Sequence, residues 1–118
     1  MSGWYRSPAC LNRMMSELEA RLAMLAAQGQ TETYGSMAQA LGLRIGELTA
    51  ALEALMELDA AAGAPLRAAL CEARLGNGLP APGFFEKAAA LGLSGLQPPE
   101  DFVATTRKVL YATAKTRI

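Results

Sequence analysis

The stretch "TYGSMAQALGLRIGELTAAL", Thr33 to Leu52, constrains the fold more than any other part of the chain. Its first apolar-periodic run, Tyr34 to Leu41, is too short to hold as a helix alone. Gly42 breaks the period, Leu43 and Arg44 form a turn, and a second run begins at Ile45 and continues to about Ala61. Leu48, Leu52, Leu55 and Met56 recur on it at helical spacing, and Gly63 and Pro65 stop it. Two helices joined by so short a turn must pack on each other. That needs a small residue at their crossing, a glycine whose backbone ends the first helix left-handed, and apolar residues on both flanks. Ala38 is the small residue and Gly42 the glycine, while Met37, Leu41, Leu43 and Leu48 supply the apolar flanks. Thr33 can cap the first helix. The pattern predicts a helix-turn-helix.

The flanking segments are also mostly helical by pattern. Ser7 and Pro8 suit a cap and a first helical position. Leu11, Met15, Leu18, Leu22 and Leu25 follow on one stripe until Gly29. A short helix is predicted over Phe84 to Leu91, closed by Gly92, and "LQPPE" makes a further stop. A last helix runs from Pro99 to about Lys115. Glu100 and Asp101 lie in its first turn, Lys115 and Arg117 near its end, and Phe102, Val103, Val109 and Leu110 form an apolar side. Residues 65–75 are ambiguous: propensity favours a helix, while "GNG" beyond them supplies a hairpin turn. The 118 residues suit one domain over 1–118, with residues 1–6 expected to be flexible.

Two resemblances bear on this. "APLRAALCEARLGNGLPAPGFFEKAAALG", followed by an aromatic and a tyrosine in the last helix (Phe102 and Tyr111), resembles a group of small bacterial and phage-borne winged-helix-like proteins. The matching stretch there reads Pro, a β-branched run, a polar turn and Pro-x-x-Gly-Phe-Phe. The resemblance spans about residues 64 to 111 and implies a strand over Pro65–Arg74, paired as a hairpin wing. Here Ala and Cys stand where Val and Ile are expected. The implied fold is mainly α with a small β-hairpin, a winged helix-turn-helix-like single domain. Tyr34-Gly35, Ala38 and Leu41-Gly42 also look like the helix-turn-helix entry of alkyltransferase-like DNA repair proteins. A tyrosine matching Tyr34 there helps turn a damaged nucleotide out of the duplex. The arginine of that family's next helix has no counterpart, since Glu47 and Leu48 occupy that region. Its Pro-Cys-His-Arg motif is absent as well, so the likeness implies shared architecture and not alkyl transfer.

Composition narrows the function. Eleven basic residues balance eleven acidic ones, so the chain has no strong field for nucleic acid or anionic membranes, and zero net charge is compatible with a homodimer. With no histidine, the commonest general base and metal ligand is missing. Cys71 is followed by Glu72, Ala73 and Arg74, with no group to activate it. Glu72 with Glu86 and Glu100 with Asp101 are carboxylate pairs without a pocket argument, and Gly76, Gly78 and Gly83 lack the lysine and hydroxyl of a phosphate loop. No enzyme, cofactor or metal is expected. Cys10 and Cys71 lack metal-ligand spacing and read as reduced thiols. The N-terminus has no basic start followed by an apolar run, and no apolar stretch approaches the roughly 20 residues of a membrane span, so a cytoplasmic location is expected.

Nucleic-acid association is the leading expectation, through DNA or a DNA-bound complex. The candidate contacts are Tyr34, Arg44 and Thr49 on the helix-turn-helix, Arg74 and Asn77 at the wing turn, and Arg107 and Lys108 on the last helix. Against it, Glu32 to Asp59 holds five acids and one base, with Glu53 and Glu57 on the face of the second helix turned from the core. The alternative is a protein-interaction module, an adaptor or inhibitor of a nucleic-acid enzyme with a degenerate helix-turn-helix.

Overall fold

The computed structural model describes residues 8–93 and 98–115, and side chains over 13–93 and 98–114. The expected flexibility of residues 1–6, the Ser7 cap, residues 96 and 97 of the "LQPPE" stop and Arg117 therefore lie outside the described residues, as do the side chains of Cys10, Leu11 and Lys115. The order is α1 (Pro8–Gln28), β1 (Glu32–Thr33), α2 (Tyr34–Leu41), α3 (Ile45–Ala61), a 3-10 turn (Arg67–Leu70), β2 (Cys71–Glu72), α4 (Pro82–Ala90) and α5 (Pro99–Lys115). The described protein is mainly helical, with one small two-stranded sheet.

The helix ends follow from local chemistry. Thr33 accepts a hydrogen bond from the Ser36 backbone N–H at 3.2 Å and caps α2. At the other end Gly42 sits at φ 69°. This lets Gly42 and Leu43 donate backward to the carbonyls of Gln39 and Ala38, at 3.2 and 2.8 Å. The same pair of bonds closes α1 at Gly29, α3 at Gly63 and α4 at Gly92. The helices α1 to α4 thus terminate where the sequence places a glycine.

The core is assembled from narrow stripes. Leu18, Leu22 and Leu25 of α1, Met37 and Ala38 of α2, and Leu48, Leu52, Leu55 and Met56 of α3 are buried together. Phe84 and Ala88 of α4 and Val103 and Leu110 of α5 complete the cluster. Val109, expected on the apolar side of α5, is 44% exposed, and Thr106 takes the buried position next to Val103 and Leu110 on that face. The Thr106 hydroxyl donates to the Phe102 carbonyl at 2.8 Å, which satisfies it inside the helix.

Residues 65–79 depart from the expected wing. Leu66, Ala68, Ala69, Leu70 and Cys71 are all buried, and α1, α3 and α5 pack around the 3-10 turn. The segment is therefore a central strut rather than a peripheral strand. Its alanines and cysteine let three helices approach closely, where Val or Ile would crowd them. β2 pairs in parallel with β1, Glu32 opposite Cys71 and Thr33 opposite Glu72, so no hairpin is formed through Gly76–Gly78. The chain does reverse there, held by Ala73 N–H to Leu79 C=O at 2.8 Å. No strand returns from it among the described residues.

Ionic contacts fasten the strut. Asp59, 5% exposed, accepts from the backbone N–H of Arg67 at 3.0 Å and from its guanidinium, which also reaches Glu19 at 3.0 Å. Arg21 grips Glu32 through two bonds at 2.7 and 2.6 Å, tying α1 to β1, and this holds the Glu32 carboxyl below its ordinary range. Thr31 donates to Glu72, bonding the two ends of the sheet from outside.

Candidate nucleic-acid interface

The surface named by the sequence is the start of α3 and the loop over residues 73–79. Arg44, Ile45, Gly46, Thr49 and Ala50 are exposed, so the first turns of α3 face solvent as a reading helix would. Arg44 caps that helix, and its backbone N–H donates to Glu47 Oε1 at 2.9 Å. The Thr49 hydroxyl donates to the Ile45 carbonyl at 2.9 Å and keeps its acceptor capacity. Arg74 and Asn77 are exposed on the loop, and Asn77 holds φ 53°, a left-handed conformation that asparagine tolerates. Lys108 is exposed on α5.

Two of the seven named residues have interior partners. The Tyr34 hydroxyl accepts a hydrogen bond from the Ala81 backbone N–H at 3.0 Å, and burial pushes its ionisation above the ordinary phenol range. The ring joins α2 to the start of α4. Arg107 folds against the strut: its Nε donates to the Ala69 carbonyl at 2.7 Å, and one terminal nitrogen is buried without a hydrogen-bond partner among the described residues. Its charge bears on Cys71 and Tyr34 from inside the fold. A phosphate contact needs a side chain free to reach outward, and this one is held inward.

The acidic face of α3 is partly neutralised. Glu57 pairs with Lys87 of α4, and the ammonium is held charged to higher pH by that contact. Glu53, one turn earlier, is half-buried. Of the carboxylate pairs weighed from the sequence, Glu72 is engaged by Thr31, while Glu100 and Asp101 lie in the first turn of α5. Burial, with Glu32 adding to it, pushes the Cys71 thiol up to about 12, so it remains protonated near neutrality. Among the described residues no group of three or more His, Cys, Asp or Glu side chains is placed to hold a metal, and no helix is long and apolar enough to cross a membrane.

What the sequence missed is the burial of Asp59 and the inward turn of Arg107. Asp59 carries a faint signal, because it falls on the same stripe as Leu52, Leu55 and Met56. Searches against family models, curated proteins and solved structures return no match to this chain.

Proposed function

We propose that the chain is a nucleic-acid-associated regulatory protein of helix-turn-helix type, without the hairpin wing, meeting DNA or a DNA-bound complex through the start of α3 and the 73–79 loop. The observation that supports this reading is the α2–Gly42–α3 unit. Its turn is closed by the two bonds to Ala38 and Gln39, and the following turns of α3 are exposed. Among the candidate contacts Arg44, Arg74 and Lys108 are the exposed bases, and Thr49 and Asn77 are exposed polar residues. With so few phosphate contacts, non-specific affinity falls at or weaker than roughly 10⁻⁴ to 10⁻⁶ M. The salt dependence is correspondingly shallow, about −0.9 per contact in log–log form. Fluorescence anisotropy with a labelled duplex at several salt concentrations measures both. Replacing Arg44 and Arg74 by Ala should remove the binding, and an absence of binding at low salt counts against the proposal.

A second reading, a protein-interaction module, has its own support. Leu75 is 92% exposed at the loop tip and Ile45 52% exposed at the start of α3. Apolar side chains presented at two such points suit a protein surface. A pull-down from the native cell with nuclease treatment separates the readings. A partner retained after nuclease supports the module, and one lost with the nucleic acid supports DNA association.

A further inference from the structure

Between α3, α4 and the Tyr34 ring lies a cavity of about 160 Å³. Leu52 and Met56 of α3 and Phe84 of α4 give it apolar walls, and Glu53 is the one charged residue lining it. The space is open on the side of the exposed Ile45, Thr49 and Gly83, and its volume is of the size that holds a single aromatic ring. The other polar groups around it are already engaged. The Tyr34 hydroxyl accepts from Ala81 N–H, and the Thr49 hydroxyl donates to the Ile45 carbonyl. Glu53 differs. It is half-buried, and among the described residues no hydrogen bond or ion pair reaches its carboxylate. Lys87 is close enough to feel its charge but makes its ion pair with Glu57. A carboxylate at the edge of an apolar space calls for a cationic or N–H-donating group from a ligand.

We propose that this cavity binds a monocyclic aromatic ring bearing an amidinium or amino group, the ring between Leu52, Met56 and Phe84 and its N–H groups on the Glu53 carboxylate. An amidinium matches the carboxylate with two parallel N–H donors. The ring gains contact with the edge-polarised phenyl of Phe84 and the thioether of Met56. Gly83 lines the same space, and a Cβ added there meets no atom within 4 Å. A larger side chain at this exposed rim position is therefore accommodated without a clash, and a leucine there is long enough to reach over the mouth of the space. The space shares Ile45 and Thr49 with the proposed nucleic-acid surface, but the test contains no nucleic acid, so the two readings fail separately.

The test is titration of the full chain with benzamidine, toluene and benzoate, followed by amide chemical-shift changes. Benzamidine is expected to shift amides of residues 49–56 and 81–84 at the lowest concentration. Toluene, equal in ring and lacking charge, should bind more weakly, and benzoate should not bind. Glu53→Gln should weaken benzamidine roughly tenfold, the size of one charge-assisted hydrogen bond, and leave toluene unchanged. Gly83→Leu should abolish both. Benzoate binding as well as benzamidine, indifference to Glu53→Gln, or shifts confined to other parts of the chain would each overturn the proposal. Should Gly83→Leu disturb the spectrum as a whole, Glu53→Gln, which preserves shape, still decides it.

Discussion

The phenolic oxygen of Tyr34 accepts a hydrogen bond from the backbone N–H of Ala81, 47 positions later, at 3.0 Å. Ala81 caps α4 and has no capping side chain of its own, so this hydroxyl positions the start of α4 from the start of α2. Tyr34→Phe keeps the ring and leaves a part-buried N–H unpaired. It is expected to cost about 1–2 kcal/mol of stability by urea denaturation. Amide exchange at Ala81 should quicken more than at Leu48, and unchanged exchange at Ala81 would remove the anchoring role.

Ala38 is 4% exposed, and its carbonyl accepts from Leu43 across the turn. Ala38→Leu places three more heavy atoms in a packed contact and should cost about 1–3 kcal/mol. An unaltered denaturation midpoint would mean that α2 and α3 do not close on this residue.

Asp59 and Arg67 are the pair that pins the strut to α3. Asp59→Ala removes the acceptor of both the Arg67 backbone N–H and its guanidinium, while Glu19 remains beside the arginine. Because Arg67 is 30% exposed, water recovers part of the loss. A decrease of roughly 1.5–3 kcal/mol is expected, in line with hydrogen bonds to charged groups. Glu19→Ala, whose carboxylate is 43% exposed, should cost far less, and equal losses would contradict this ordering.

Cys71 makes stability sensitive to alkali. Its folded-state ionisation lies near 12, against 9.0 for an unperturbed thiol. Below about pH 9 the thiol is protonated whether the chain is folded or not, and its stabilising contribution is complete. As pH rises, the unfolded chain ionises first, so stability falls progressively until the folded thiol also ionises. Tyr34, raised as well, acts with the same sign at higher pH. Cys71→Ala should flatten the decline in urea midpoint between pH 8 and 11. In a Cys10→Ser background, alkylation of native protein at pH 8 should proceed only as fast as the chain opens. Rapid alkylation would show that the thiol is accessible.

In the 73–79 loop, Gly76 and Leu75 should respond oppositely. A Cβ on Gly76 falls 2.8 Å from the Leu79 carbonyl oxygen, which itself accepts from Ala73. Gly76→Ala should therefore destabilise the loop and change amide shifts from Ala73 to Leu79. Leu75→Ala, at a side chain 92% exposed, should leave stability within about 0.5 kcal/mol of the parent. A stability loss from the leucine change would place it in the fold rather than on the surface.

The sequence by itself determined where the helices lie and most of their ends; α4 begins at Pro82, ahead of the expected Phe84, because proline suits a first helical position. The bounds of α2 and α3 read from it match those observed, because a glycine at φ near +70° and a capping threonine act within a few residues of where they stand. The buried stripe of α1 and α3 was legible for the same reason, since helical spacing alone puts Leu18, Leu22, Leu48, Leu52 and Leu55 on core-facing sides. Only the tertiary structure decided residues 65–74. Their helical propensity and the implied wing hairpin both gave way to a 3-10 turn and a two-residue parallel pairing with Glu32–Thr33, more than thirty positions earlier. Tertiary packing likewise decided that Arg107 turns inward to the Ala69 carbonyl, and that Asp59 is buried against Arg67. Such contacts depend on partners brought together by packing, and neither periodicity nor propensity encodes which distant group will stand opposite. The cavity beside Glu53 is of this second kind, since its walls come from three helices and the strut, and no single stretch of sequence contains it.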